Sequence, residues 1–331
     1  MEKGQISVQF NWIFVIIIGG VILLFFLGII RAQVKESDYE LTGDILRNLD
    51  TIVKSSEQKP DSTNVIKIPE IPLNFVCEPG ISYYNIGSGG QNDITYDIIF
   101  AQKKMTGKTL VSWTQSWDVP FRIAIFQYLT TKNARFIVVD DSQLIGDGSL
   151  ADQLYELLPE NISKEIIPRE REVKDFNYDY YKIIQFEGKK LSNSKIKVPE
   201  NLVYIITINV DKGLNSYGTI TFEKEGETVG FVKKEALLGA IFSDDAAYYN
   251  CTMEKAYERL DLLMKLNKER VSALEKAKED TECETYYTWA NQYFNSIRFP
   301  SEGVKTIYEK SENLKSDNEN LIRGPDCPLI Y

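Results

Sequence analysis

The residues that could do chemistry are concentrated in one turn near the middle of the chain. Asp140 and Asp141 follow the mostly apolar run 135–139, which is predicted to be a strand, and Gly146 and Gly148 come shortly after them. Ligands of α/β sheets bind beyond the carboxyl ends of strands, and carboxylate oxygens suit hard divalent cations. The pattern therefore predicts a ligand or metal site at these four residues, without identifying the metal.

A second interpretation explains the same turn without a ligand. Together with Ala151, the two glycines fit the dinucleotide fingerprint G-x-G-x-x-G/A. They stand too far beyond the predicted strand for the tight turn that this fingerprint needs, and Asp147 would repel a pyrophosphate. Ser149 is instead suited to cap a helix that starts at Leu150, and glycine is common in turns. No cofactor is expected.

Histidine is absent from the whole chain. This excludes Ser-His-Asp and Cys-His relays and removes the commonest general base and metal ligand. No catalytic residue is assigned, and a non-enzymatic role is favoured. The net charge of -10 argues against a nucleic-acid partner, because binding to a phosphate backbone depends on clustered Lys and Arg.

The four cysteines predict two disulfides. They are Cys77, Cys251, Cys283 and Cys327, and none lies in a C-x-x-C pair, so a metal site is not indicated. Three pairings are possible. If three C-terminal helices run antiparallel, the third returns its end to the start of the second. That geometry favours Cys283 with Cys327, and leaves Cys77 for Cys251.

The N-terminal segment is predicted to span a membrane. Residues 5–30 carry no charged side chain, and a bilayer core of about 30 Å needs roughly 20 apolar residues in a helix. The predicted disulfides favour an oxidising compartment for the rest of the chain. Asn-x-Ser/Thr sequons at Asn161 and Asn250 point the same way. We expect a single-pass protein of the cell membrane with a cytoplasmic N-terminus and an extracellular bulk.

A basic residue and a glycine precede the apolar run, as Lys3-Gly4-Gln5. This start resembles the class III signal of archaeal type IV pilin-like proteins, over about a tenth of the chain. The resemblance implies cleavage after Gly4 by a prepilin-peptidase-like enzyme, with the helix kept for assembly. Gln9 departs from the family, where glutamate is common at that position. An uncleaved signal anchor is the alternative.

The fold class indicated is α+β, a mixed α/β arrangement. After the membrane helix of residues 1–31 we expect a helical stalk, a proline-punctuated linker, a β-rich head and a C-terminal helical region packed on the head. Their predicted ranges are 32–57, 58–75, 76–242 and 243–331.

Short β-branched and aromatic runs predict the strands of the head, and apolar residues at helical spacing predict its helices. One β-α-β passage is expected, with a helix over residues 150–158 between the strand 135–139 and the apolar residues 166–167. The predicted strands cover residues 95–101, 109–114, 121–128, 135–139, 180–186, 202–209, 217–223 and 228–232. The predicted C-terminal helices cover residues 246–278, 284–297 and 304–321.

Two functions follow from these features. The favoured one is a membrane-anchored structural or interaction component of the cell envelope, in contact with the lipid bilayer and with a second copy or another envelope protein. The alternative is an anchored ectoenzyme or solute-binding domain that uses the Asp140/Asp141 turn. Trp113 and Trp117 fit either a binding groove or the core, and core packing is favoured.

Overall fold

The computed structural model describes residues 12, 14–29, 47, 51, 59–70, 72–78, 81–87, 91–94, 97–140, 149–296, 303–323 and 327–331. Within them, helix α1 covers residues 14–29. The other helices are α2 (Leu150–Leu157), α3 (Lys233–Phe242), α4 (Ala246–Ala277), α5 (Glu282–Ser296) and α6 (Val304–Arg323). The strands are β1 (Thr63–Lys67), β2 (Leu73–Glu78), β3 (Ile81–Ile86), β4 (Gln91–Asp93), β5 (Ile98–Ala101), β6 (Lys104–Met105), β7 (Thr109–Asp118), β8 (Arg122–Thr131), β9 (Ala134–Val139), β10 (Ser163–Ile167), β11 (Tyr180–Phe186), β12 (Val203–Val210), β13 (Tyr217–Phe222) and β14 (Glu227–Val232).

Helix α1 presents exposed apolar side chains along its length. Among the described residues, no helix combines the length and the hydrophobicity that crossing a membrane requires. The predicted processing residues Lys3, Gly4 and Gln5 lie outside the described residues. So does the predicted stalk at 32–57, except Arg47 and Thr51, which are helical and joined by a hydrogen bond from Thr51 Oγ1 to the Arg47 carbonyl (2.8 Å).

A six-stranded sheet forms one half of the head, in the order β10-β9-β11-β12-β13-β14. The first four strands are parallel and the last two form an antiparallel hairpin. The predicted β-α-β passage is present as β9, α2 and β10. Ser149 caps α2 as expected, because its Oγ accepts a hydrogen bond from the Asp152 N–H at 3.0 Å.

Two four-stranded sheets form the other half, in the orders β1-β7-β8-β5 and β4-β3-β2-β6. The prediction of a linker over residues 58–75 is wrong for its central part, since β1 pairs antiparallel with β7 along its whole length. Thr63–Lys67 is rich in β-branched residues, and the prolines around it delimit an edge strand. The segment before β1 is also fixed, because the Asp61 N–H donates to the Thr114 carbonyl at 2.9 Å.

Helix α3, which the sequence patterns did not predict, lies between two of the sheets. It contacts β7 and β8 on one side and β13 and β14 on the other. Every residue from Glu235 to Phe242 is buried, so the helix has no polar face from which a helical period could be read. It lies close to Phe100 of β5 at Gly239, where an added Cβ would lie 2.7 Å from ring carbons of Phe100.

The three C-terminal helices occur where they were expected, as α4, α5 and α6. The disulfides join Cys77 to Cys251 and Cys283 to Cys327, which is the pairing predicted from the helix directions. One hydrophobic core contains residues of both the head and the helical region, so the two share their packing.

Asp317 of α6 is buried, and its Oδ2 has no hydrogen-bond partner among the described residues. Burial disfavours the charged carboxylate and raises its pKa from the usual range to about 6. Because the folded protein then binds a proton more tightly than the unfolded chain, this group destabilises the fold as the pH rises from about 4 to 6.

We expect Gly239→Ala to lower the free energy of unfolding by roughly 1–2 kcal/mol. The clash with Phe100 outweighs the gain of about 1 kcal/mol that alanine brings to a helix. Urea denaturation measures the difference. In the Phe100→Leu background the same substitution should cost less, and strictly additive effects would contradict the predicted contact.

We expect Asp317→Asn to stabilise the protein at pH 7.5 by about 1–2 kcal/mol, with a gain that shrinks as the pH falls towards 4. Urea denaturation at both pH values measures it. Glu319→Gln, an exposed change on the same helix, is the matched control and should have little effect at either pH. An equal gain at both pH values for Asp317→Asn would show that titration is not the cause.

Candidate functional site

The structure places only part of the predicted acidic turn. Asp140 is half-buried at the end of β9, and its N–H donates to the Ile167 carbonyl at 2.9 Å. Asp141, Gly146 and Gly148 lie outside the described residues. Among the residues that are described, no group of three or more His, Cys, Asp or Glu side chains could hold a metal ion. The metal or ligand site at this turn stays a prediction.

The other residues singled out in the sequence are located. Asn161 and Asn250 are both exposed, and Asn250 precedes the disulfide-bonded Cys251 in α4. Trp113 and Trp117 belong to the hydrophobic core, which confirms core packing over a binding groove. The indole N–H of Trp117 donates to the Val232 carbonyl at 3.0 Å, next to the start of α3.

One candidate site among the described residues is a partly open cavity of about 520 Å³ on the face of the six-stranded sheet that points away from α3, here called the outer face. Loops cover this face. The floor of the cavity is aliphatic, and its wall is the segment between β11 and β12. The apolar lining residues are Leu191, Ile196, Val198, Val203 and Ile205.

A chain of hydrogen bonds crosses the polar end of this cavity. Gln185 donates from Nε2 to Thr207 Oγ1 at 3.0 Å, and its Oε1 accepts from the Leu191 N–H at 2.9 Å. Thr207 Oγ1 donates in turn to Glu223 Oε1, which also accepts from Lys190 Nζ at 2.8 Å. Gln185 and Thr207 are buried, so the carboxylate is held from beneath by groups that cannot move freely.

Both ends of the Lys190–Glu223 pair are charged at neutral pH. Burial by itself would raise the pKa of Glu223, but hydrogen bonds from Lys190 and Thr207 outweigh it and lower that pKa. The hydrogen bond to Glu223 raises the pKa of Lys190. The cavity therefore has a carboxylate held by buried polar groups, and a partly exposed ammonium group paired with it, beside an apolar floor.

The wall of the cavity is tied to the rest of the outer face. The Val173 N–H donates to the Lys195 carbonyl at 2.9 Å, and the Lys197 N–H donates to the Val173 carbonyl at 2.8 Å. These bonds join the wall to the loop before β11. Because the wall is held by backbone hydrogen bonds, the cavity is preformed.

A second, smaller cavity on the same face, of about 360 Å³, surrounds Arg135. The guanidinium group pairs with Glu165 at 3.0 Å and with Asp175 at 2.7 Å, and it lies over the ring of Tyr178. The two carboxylates accept its hydrogen bonds and neutralise its charge. We interpret this cluster as structural.

The opposite face of the sheet contains a buried polar cluster of Lys182, Tyr180 and Asp244. Lys182 Nζ donates to the Ser243 carbonyl, which ends α3, at 2.6 Å. Burial lowers the pKa of Lys182 to about 8, and the nearby Asp244 opposes that shift. A cation at a helix C-terminus interacts favourably with the helix dipole, so the cluster anchors α3 to the sheet.

The cavity was not predicted, because its residues come from four separate elements and form no motif. One signal was available. The strand Tyr180–Phe186 is central in a largely parallel sheet, where near-continuous apolar residues are usual, yet it contains Lys182 and Gln185. Their odd spacing puts them on opposite faces, one at the end of α3 and the other at the cavity.

The chain matches no family model, no curated protein and no solved structure. Functional conclusions therefore rest on the residues and their geometry.

We expect Lys182→Met to lower the free energy of unfolding by about 2–4 kcal/mol, because it leaves the Ser243 carbonyl and the buried Asp244 without their cation. Lys190→Met is the matched control. It breaks a partly exposed ion pair and should cost less than about 1 kcal/mol. Urea denaturation of both variants tests this, and equal costs would show that Lys182 does not anchor α3.

Proposed function

We propose that this protein is a component of the cell envelope, held in the membrane by its N-terminal apolar segment, with its head outside the cytoplasm. The observation on which the proposal rests is that the cysteines are disulfide-bonded. All four form two disulfides, and such bonds persist in oxidising compartments.

The N-terminal sequence supports the membrane anchor. Residues 5–30 have no charged side chain, and α1 within them exposes its apolar residues. A run of this length is sufficient to cross a hydrocarbon core of about 30 Å. The Lys3-Gly4-Gln5 start further suggests processing as in archaeal pilin-like proteins, with cleavage after Gly4 and retention of the helix for lateral assembly.

An interaction role suits the surface of the helical region. Leu262 and Leu266 lie one turn apart on α4, and both are more than half exposed. Trp289 of α5 is also exposed. A contiguous patch of such side chains would mark a contact surface with a second copy or another envelope protein.

Co-expression with a prepilin peptidase should shorten the protein by residues 1–4, as measured by intact mass. A Gly4→Val variant should stay full-length, because the bulky side chain blocks the cleavage position. Gly28→Val, the same change within the apolar run, should be processed normally. An unchanged N-terminus in the wild type would overturn the pilin-like processing and leave a plain signal anchor.

The position of the head is tested separately in intact cells. A membrane-impermeant amine reagent should label lysines of the head without lysis, and protein taken directly from the membrane should contain both disulfides by mass mapping under non-reducing conditions. Labelling that appears only after lysis, with free thiols, would overturn the extracytoplasmic location.

A further inference from the structure

We propose that the cavity on the outer face binds a free amino acid with an aliphatic side chain. The apolar floor receives the side chain, and the Lys190–Glu223 end receives the two charged groups of the zwitterion. This binding does not depend on the membrane anchor.

The size and lining of the cavity fit a small ligand with an apolar part. Its volume of about 520 Å³ lies within the range of roughly 300–1,000 Å³ that is usual for ligand sites. Leu191, Val198 and Val203 are buried aliphatic residues of the lining. An aliphatic side chain placed against them would be removed from water, which is favourable at about 25 cal/mol per Å².

The charges at the cavity favour a zwitterion over a simple acid or amine. Lys190 contributes a positive charge, and Glu200 and Glu223 contribute two negative ones, whereas the ammonium group of Lys224 lies over the ring of Tyr204. A ligand with a net charge would be repelled by the cavity charges of its own sign, whereas a zwitterion can place each of its charges beside one of opposite sign. Lys190 has three donors, of which the bond to Glu223 takes one.

The Glu223 carboxylate differs from that of an ordinary surface ion pair, because buried polar side chains hold it from beneath. Thr207 and Gln185 are only 2% and 4% exposed, and both serve to position the carboxylate or the wall. Replacing both partners of a buried hydrogen bond by apolar groups of the same shape can be nearly neutral for stability. Their presence beside a preformed cavity is explained by ligand positioning, since a fixed carboxylate loses little freedom when a ligand binds.

Isothermal titration of the full chain in detergent tests the proposal with four probes. L-leucine should bind saturably with one site per chain. 4-Methylpentanoate, which lacks the amine, and 3-methylbutylamine, which lacks the carboxylate, should each bind at least about tenfold more weakly. Glycine, which lacks the side chain, should also bind at least about tenfold more weakly. No binding of L-leucine, or equal binding of all four probes, would overturn the proposal.

Variants connect any binding to this cavity. Lys190→Met and Glu223→Gln should each weaken leucine binding at least about tenfold. Lys212→Met and Glu227→Gln, at exposed positions away from the cavity, should bind as the wild type does. If Glu223→Gln fails to fold by circular dichroism, Lys190→Met decides alone, since it removes only a partly exposed pair. Unchanged affinity in the Lys190→Met variant would place the leucine elsewhere and overturn the proposal.

Discussion

The contact on which the head depends is the packing of α3 between two sheets. An eight-residue stretch of this helix, from Glu235 to Phe242, is buried, and Gly239 lets it approach Phe100 more closely than any side chain would allow. A helix end placed in such a core needs partners for its last carbonyl groups. Lys182 provides one for Ser243, at the expense of burying a cation whose pKa falls to about 8. The buried position of α3 therefore requires a cationic side chain at residue 182.

Because α3 is anchored to one face of the six-stranded sheet, the two faces of the sheet differ in what covers them. The inner face is filled by α3 and aromatic side chains. Among the described residues, no α-helix covers Gln185 and Glu223 on the outer face. The wall between β11 and β12 lies there instead, and it includes two single-turn 3-10 helices, Asn193–Lys195 and Glu200–Leu202. Rigidity on one face therefore supports a preformed cavity on the other, because Gln185 lies on the same strand as Lys182.

The sequence predicts elements well where one physical signal dominates. The strand at 180–186, the helix beginning at Leu150 and the disulfide pairing all follow from local patterns or simple helix geometry. Helix α3 was missed because a fully buried helix has no polar face, and its run was too short to distinguish from a strand. Strand β1 was taken for linker because its pairing with β7 is a long-range contact that local composition does not show. The cavity combines local contacts of the segment between β11 and β12 with the long-range pairing of Lys190 and Glu223, so no local pattern shows it.

The small sheet of β2, β3, β4 and β6 is joined to helix α4 by a disulfide. Its own core is limited, and it relies on Tyr248 of α4, whose hydroxyl donates to the Ile99 carbonyl at 3.1 Å. The Cys77–Cys251 bridge joins β2 to the same helix three residues further on, and it closes a loop of 174 residues. Long loops restrain the unfolded chain most in the entropic account, so this bridge adds to the packing of β2 against α4. In a reducing compartment the same sheet would lose this bridge and keep its shared core and its hydrogen bonds to α4, such as that from Lys255 Nζ to the Ile94 carbonyl at 2.8 Å. The contribution of the bridge to this part of the head is therefore present only under oxidising conditions.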